Sequence, residues 1–348
     1  MSLGSIMLDV QGLSLSAIER EQLFDPKVAG VILFSRNFES AEQLQALTEE
    51  IHALRHPRLL IGVDHEGGRV QRFRHGFSRL PPMRLLGMLQ KVDPQGARDT
   101  AQKIGWLMAS ELLSVGVDFS FAPVLDLDYG GSKVIGDRSF GANAEQVSDL
   151  ALALMKGMHQ AGMAAVGKHF PGHGFIEADT HTEIAMDPRP LAQVWQHDIQ
   201  PFLRLIEQGL DAVMPAHVIY PQVDALPAGF SPFWLTRVLR QQCHFEGVIV
   251  SDDLSMQAAA VFGEAPQRVA RALQAGCDLV LVCNDPAAAQ QVLAELPFED
   301  NLLSHARLIR LHGQSRIPWS KRHYSPQWQA AISALDHLNA WAEQHSRF

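Results

Sequence analysis

A single-domain α/β fold, a (β/α)8 barrel of the TIM type, is what the sequence predicts, on three observations. Eight short apolar runs recur along the 348 residues, each closed by a polar residue. Most are followed by a stretch whose apolar residues fall at helical spacing. The runs are continuously apolar rather than alternating, as expected of strands covered on both faces in a parallel sheet. Eight strand–helix units of this kind close a barrel of ~250 residues, here expanded by insertions. A doubly wound open sheet is the topological alternative for the same alternation.

The runs occupy positions 6–9, 31–35, 59–64, 119–126, 164–169, 212–217, 248–252 and 279–284. The first is short and the helix after it weakly patterned, so irregularity is expected at the first strands. Ala101, Ile104, Met108, Leu112 and Val115 mark one helical face before the fourth run. Val147, Leu150, Ala151, Leu154 and Met158 do so before the fifth. No linker or low-complexity tract divides the chain, so residues 1–348 are read as one catalytic domain. Its tail, from about 301 to 348, is read as the last barrel helix plus an appended C-terminal helix.

Composition excludes several classes. With 47% apolar and 19% charged residues the chain is an ordinary globular protein. A net charge of -9 argues against a general nucleic-acid partner. No apolar run approaches the ~18 residues of a membrane span, and no secretory leader is visible. Cys243, Cys277 and Cys283 are odd in number and not at metal-ligand spacing. They read as reduced, buried thiols of a cytoplasmic protein. A monomer acting on a small molecule is expected.

Barrel active sites form at the C-terminal ends of the strands. Asp9, Asp64, Asp126, Asp128, Lys168, His169, His217, Asp252 and Asn284 close or lie just beyond the eight runs. Any one of them could be a loop or helix cap; as a set they describe a polar pocket. Asp64 could accept hydrogen bonds from the vicinal hydroxyls of a sugar, and Arg72 could donate to hydroxyl or carbonyl groups. Arg69, Arg74, Arg79 and Arg84 read as a solvated surface. In the loop 136–141, Arg138 stands beside Asp137, with which it could simply pair.

Strand seven ends in Asp252-Asp253. Successive residues face opposite ways, so an inward Asp252 leaves Asp253 turned aside or capping the next helix. Near Lys168, Asp252 would stay ionised, as a nucleophile or charge stabiliser. The proton-transfer group has four candidates: Glu66, Glu177, Glu183 and the pair Asp179/His181. In an extended loop Asp179 could orient His181 and raise its pKa, although Asp179-Thr180-His181 could also form a plain surface turn. His173, in a Pro-Gly turn, reads as structural.

Four motifs stand in order. They are Val63-Asp64-x-Glu66-Gly67-Gly68-Arg69-Val70-x-Arg72; Gly136-Asp137-Arg138-Ser139-Phe140-Gly141; Lys168-His169-Phe170-Pro171-Gly172-His173-Gly174 followed by Asp179-x-His181; and Ser251-Asp252-Asp253-Leu254-x-Met256. Together, from about Met7 to Asn284, they resemble glycoside hydrolase family 3, and more narrowly its single-domain bacterial β-N-acetylhexosaminidases. The resemblance implies a retaining double displacement with Asp252 as nucleophile and His181, held by Asp179, as general acid/base. Asp64, Arg72, Arg138, Lys168 and His169 match positions that hold the terminal N-acetylglucosamine. It implies no metal and no cofactor, and a cytoplasmic role in cell-wall recycling on N-acetylglucosaminyl-1,6-anhydro-N-acetylmuramic acid and its peptide-bearing forms. Two departures occur: His65 where glutamine is usual, and Thr180 where serine often stands.

Other readings remain. They are a phosphorylase, a β-glucosidase or β-xylosidase of the same family, a zinc hydrolase using His169, His173, His181 and Asp252, and a sugar-binding barrel without catalysis.

Overall fold

The computed structural model describes residues 3–176, 185–255, 262–315 and 317–345. Eight parallel strands form its centre: β1 (Ile6–Asp9), β2 (Val28–Leu33), β3 (Leu60–Val63), β4 (Phe119–Ser120), β5 (Ala164–Phe170), β6 (Ala212–Pro215), β7 (Val248–Ile249) and β8 (Val280–Val282). They are hydrogen-bonded in the order β7-β6-β5-β4-β3-β2-β1-β8. A parallel bridge between Val250 and Leu279 joins the two ends of that row. The ring is therefore closed, a (β/α)8 barrel, and the open-sheet alternative is excluded.

All eight predicted runs contain a strand. The register irregularity expected early occurs between Ile6 and Met7 in the β1–β2 pairing. The shortest strands, however, are β4 and β7, with two residues each. The run 119–126 stops after Ser120 because Pro123 offers no N–H to a ladder. Its continuation is held to β5 by single contacts, including the Leu125 N–H donating to the Lys168 carbonyl at 2.7 Å.

Helices cover the barrel. The two whose apolar faces the sequence marks, α1 (Pro94–Ser114) and α2 (Ala144–Ala161), pack on each other between β3 and β5. Asp93 caps the first, with Pro94 at its first position, and Asn143 caps the second. A C-terminal helix, α3 (Pro326–His345), lies against α1 through buried Ala331, Leu335 and Leu338. Its Trp328 Nε1 donates to Glu111 at 3.2 Å. Beyond β3, a small antiparallel ribbon pairs His65–Gly67 with Val70–Gln71. That ribbon carries the polar groups of the loop after β3 to the barrel mouth. No helix among the described residues is long and apolar enough to cross a membrane.

Candidate active site

A cleft of about 570 Å³ opens at the C-terminal ends of the strands. Asp64, Glu66, Arg72, Arg138, Lys168, His169 and Asp252 all line it. Seven polar side chains from β3, β5, β7 and two loops thus converge, while Ile32, Phe121, Met214 and Leu281 supply an apolar floor. A few directed polar groups in a mostly enclosed pocket of this size suit a small, hydroxyl-rich ligand.

Lys168 is the centre of its charge network. It is 2% exposed, and its ammonium lies 2.9 Å from Asp64 Oδ1 and 2.6 Å from Glu66 Oε1. Arg138 grips Glu66 with two bonds of 2.8 Å, the planar fork-on-carboxylate arrangement that lysine cannot reproduce. Arg72 donates to the second oxygen of Asp64 at 3.1 Å. Burial opposes charge on both carboxylates, but the surrounding cations outweigh it. Asp64 is held well below the usual carboxylate range by Lys168 and Arg72. Glu66 is brought down to about 2 by Arg138 and Lys168. Burial likewise disfavours the charged form of Lys168, and Asp64 and Glu66 reverse that, raising its pKa.

The second centre is Asp126. Its buried carboxylate accepts from His169 Nδ1 at 2.6 Å and from the His173 backbone N–H at 2.7 Å. One carboxylate therefore fixes both the ring of His169 and the start of the glycine-rich loop. Gly174 is required where that loop crosses the chain beyond β4, since a Cβ there would lie 1.6 Å from the Leu127 carbonyl. Lys168 and His169, although adjacent in β5, both face the cleft. The pairing register of β5 on β6 shifts between Lys168 and Phe170, and the Lys168–His169 peptide is cis.

Asp252 reaches the cleft from the end of β7. Its Oδ1 accepts the Asp253 N–H at 2.8 Å. Burial disfavours its charge, but His217, His169, that N–H and Lys168 together lower its pKa. Asp253 also borders the cleft, but its carboxylate is engaged locally: it accepts from Ser255 N–H and Oγ at 3.0 and 2.8 Å and from Cys283 N–H at 3.3 Å.

Several sequence expectations need correction. Glu66 is no proton donor candidate, because two cations hold it ionised. Asp137 and Arg138 do not pair with each other: Asp137 meets Arg69 at 3.3 Å and Arg138 meets Glu66. Arg69 and Arg84 are not merely solvated. Arg69 lines the cleft, and Arg84 pairs with Asp128 and donates to the Gly136 carbonyl at 3.0 Å, pinning the Arg138 loop. His173 lies in the cleft wall, edge-on to His169 at 5.8 Å between centroids. Burial and the neighbouring His169 bring its pKa down to about 4.

Sequence reasoning missed Arg36, which pairs with Asp9 and donates to Asn284 Oδ1 at 3.0 Å, tying together the mouth ends of the neighbouring strands β1 and β8. It named Asp126 as a strand-end residue but gave it no role; its place at the end of an apolar run broken by Pro123 was the available signal. Asp179, His181, Glu177 and Glu183 lie outside the described residues. Among the described residues no three His, Cys, Asp or Glu side chains gather as a metal site.

A closed parallel barrel whose mouth carries ionised carboxylates, paired cations and an oriented imidazole defines the class: a barrel enzyme acting on a polyhydroxylated substrate. The sequence model of the glycosyl hydrolase family 3 N-terminal domain matches residues 5–308, and the chain belongs to that family. A β-hexosaminidase of Hydrogenovibrio crunogenus is 61% identical over 345 residues, 99% of this chain and 97% of that one. One from Methylobacillus flagellatus is 54% identical over 334 residues, 95% of each chain. The crystal structure of NagZ from Neisseria gonorrhoeae in complex with N-trifluoroacetyl-D-glucosamine superposes with a TM-score of 0.92. It is 44% identical, with 97% of this chain and 98% of that one covered. The protein is accordingly a glycoside hydrolase, a β-N-acetylhexosaminidase.

Proposed function

We propose that the enzyme is a retaining exo-β-N-acetylglucosaminidase. It removes the terminal non-reducing N-acetylglucosamine from N-acetylglucosaminyl-1,6-anhydro-N-acetylmuramic acid, with or without peptide, in the cytoplasm. The observation that carries this reading is Asp252: a carboxylate lining the same cleft as Lys168 and His169, bonded to a backbone N–H rather than to a cation, with its pKa lowered by its surroundings. A free carboxylate beside held sugar hydroxyls is the arrangement a covalent displacement needs. The solved Neisseria relative holding an N-acylated glucosamine supports the sugar.

In this mechanism Asp64, Arg72, Arg138, Lys168 and His169 hold the N-acetylglucosamine. The Asp252 carboxylate attacks the anomeric carbon as the glycosidic C–O bond breaks. His181, oriented by Asp179, gives its proton to the departing oxygen. It then takes a proton from water, whose oxygen displaces Asp252 and frees the sugar with retained configuration. The roles of Asp179 and His181 rest on the resemblance of their motif.

Trapping with a fluorinated N-acetylglucosaminyl fluoride, followed by peptide mapping, tests the proposal. Label on Asp252 is expected, and Asp252→Ala is expected to lower turnover by several orders of magnitude. Label on Asp253 or Glu177, or turnover that requires phosphate and releases a sugar 1-phosphate, contradicts it.

A further inference from the structure

His217 lies just beyond β6 and is 2% exposed, behind the cleft rather than in its lining. Its ring Nε2 lies 3.1 Å from the Asp253 carbonyl oxygen. A carbonyl only accepts, so Nε2 carries a proton and donates it. We propose that His217 is a positioning residue that tethers the turn carrying Asp252 and so sets the nucleophile's carboxylate for attack. This rests on the assignment of Asp252 as nucleophile.

The turn after β7 is fastened unevenly. Toward β8, the Ser251 N–H donates to the Leu279 carbonyl at 2.8 Å and the Leu254 N–H to the Leu281 carbonyl at 3.0 Å. Asp253 adds its carboxylate, accepting from the Cys283 N–H. Toward β6, the last backbone bond is the Val250 N–H donating to the Val213 carbonyl at 2.9 Å. Beyond it, among the described residues, the hydrogen bond reaching the turn from β6 is that of His217. The bond falls at a point that matters. Its acceptor is the carbonyl of Asp253, and the N–H of the same residue donates to Asp252 Oδ1. His217 holds one end of residue 253 while the other end holds the nucleophile. The ring also stands close enough to favour the ionised Asp252: after burial, which opposes the charge, it is the largest influence on that carboxylate. Packing alone, against Phe230 at 5.9 Å between centroids, would not need a donor at Nε2.

Three variants separate tether from packing. In His217→Gln the side-chain amide nitrogen can occupy nearly the place of Nε2. In His217→Asn it matches only Nδ1 and falls short of the carbonyl. His217→Ala removes both. The assay is the rate of covalent labelling by the fluorinated glycosyl fluoride, beside the inhibition constant of free N-acetylglucosamine. The alanine and asparagine variants are expected to label about 10²-fold more slowly, the cost of a misplaced reacting group, while inhibitor binding changes less than about threefold. Glutamine is expected to restore labelling to within about tenfold of the parent. If alanine fails to fold, the glutamine–asparagine contrast still decides. Equal rates for those two, or parent rates in all variants, overturn the tether. Parent label on a residue other than Asp252 overturns the nucleophile assignment instead.

Discussion

His65 stands where the resemblance leads one to expect glutamine, and the structure gives that exchange a measurable consequence. Its backbone sits between Asp64 and Glu66, but its ring faces away from the cleft, 1% exposed, 5.9 Å from the rings of both Phe73 and Phe77. Burial, assisted by the charge of Arg72, brings its pKa from 6.5 down to about 3. The folded protein therefore holds it neutral where the unfolded chain would protonate it. Its stabilising contribution is complete above about pH 6.5 and is lost progressively as pH falls toward about 3, at about 1.4 kcal/mol per pH unit. At pH 5 the loss is about 2 kcal/mol. For a chain of this length the unfolding entropy is about 0.7 kcal/mol/K, so the midpoint falls by about 3 °C from this residue alone.

Replacing His65 with glutamine removes that titration and leaves every other one in place. His173, also buried and brought down to about 4, acts in the same direction but in both proteins, so it cancels in the difference. Between about pH 7.5 and about pH 5, the thermal midpoint of the parent is expected to fall by about 3 °C relative to that of His65→Gln. Any fixed cost of placing an amide among phenylalanine rings shifts the whole curve and does not mimic this change of slope. Parallel curves would show that His65 takes up its proton as readily in the fold as in the unfolded chain, and the reasoning from its burial would be wrong.

Further outcomes are expected at the site. His181→Ala is expected to cut kcat/KM for N-acetylglucosaminides with poor leaving groups by ~10²–10⁴-fold and to spare kcat/KM for those with good leaving groups; an equal loss on both would refute a role in protonating the leaving group. Arg138→Lys removes the two-pronged grip on Glu66 and is expected to lower kcat/KM by about 10- to 100-fold, the worth of one charge-assisted hydrogen bond. Parent-like kinetics would count against it. Asp126→Asn leaves one acceptor oxygen for the two donors His169 Nδ1 and His173 N–H and is expected to weaken N-acetylglucosamine inhibition by about tenfold or more, measured as an inhibition constant.

Strands were legible in the sequence because a buried parallel strand must be apolar throughout, which leaves a mark in any window. Helices α1 and α2 were legible for the matching reason of period. The residues that close strands were legible too, since barrel geometry sends them to one mouth: Asp64, Lys168, His169 and Asp252 all arrive there. What stayed hidden is partnership across the sequence. Glu66 looked like a free acid because Arg138, 72 positions away, is not its neighbour in the chain. Arg84 looked solvated because Asp128 and the carbonyl of Gly136 reach it only after folding. Asp126 had no visible partner because its two histidines come more than forty residues later. Local spacing reports periodicity; it does not report which charge a loop will carry to which.

The charge pattern of the cleft explains why its members hang together. Asp64 and Glu66 face Lys168, Arg72 and Arg138, so buried charges are matched before any ligand arrives. Each isolated ion would cost several kcal/mol to bury, and the pairs offset that only while their partners stay in place. Such a site pre-aligns donors and acceptors at fixed positions, which is what a neutral, hydroxyl-rich sugar requires. Asp64, which lines the cleft, keeps lone pairs beyond the two it gives to Lys168 and Arg72. Asp252 differs from both other carboxylates. Its hydrogen bond is to a backbone N–H rather than to a cation. Lys168, committed to Asp64 and Glu66, acts on it only from a distance. A carboxylate in a firm ion pair has its lone pairs engaged and makes a poor nucleophile; one kept ionised by imidazoles, a peptide dipole and a remote ammonium does not. On the proposed mechanism, the network that clamps Asp64 and Glu66 leaves Asp252 free for bond formation.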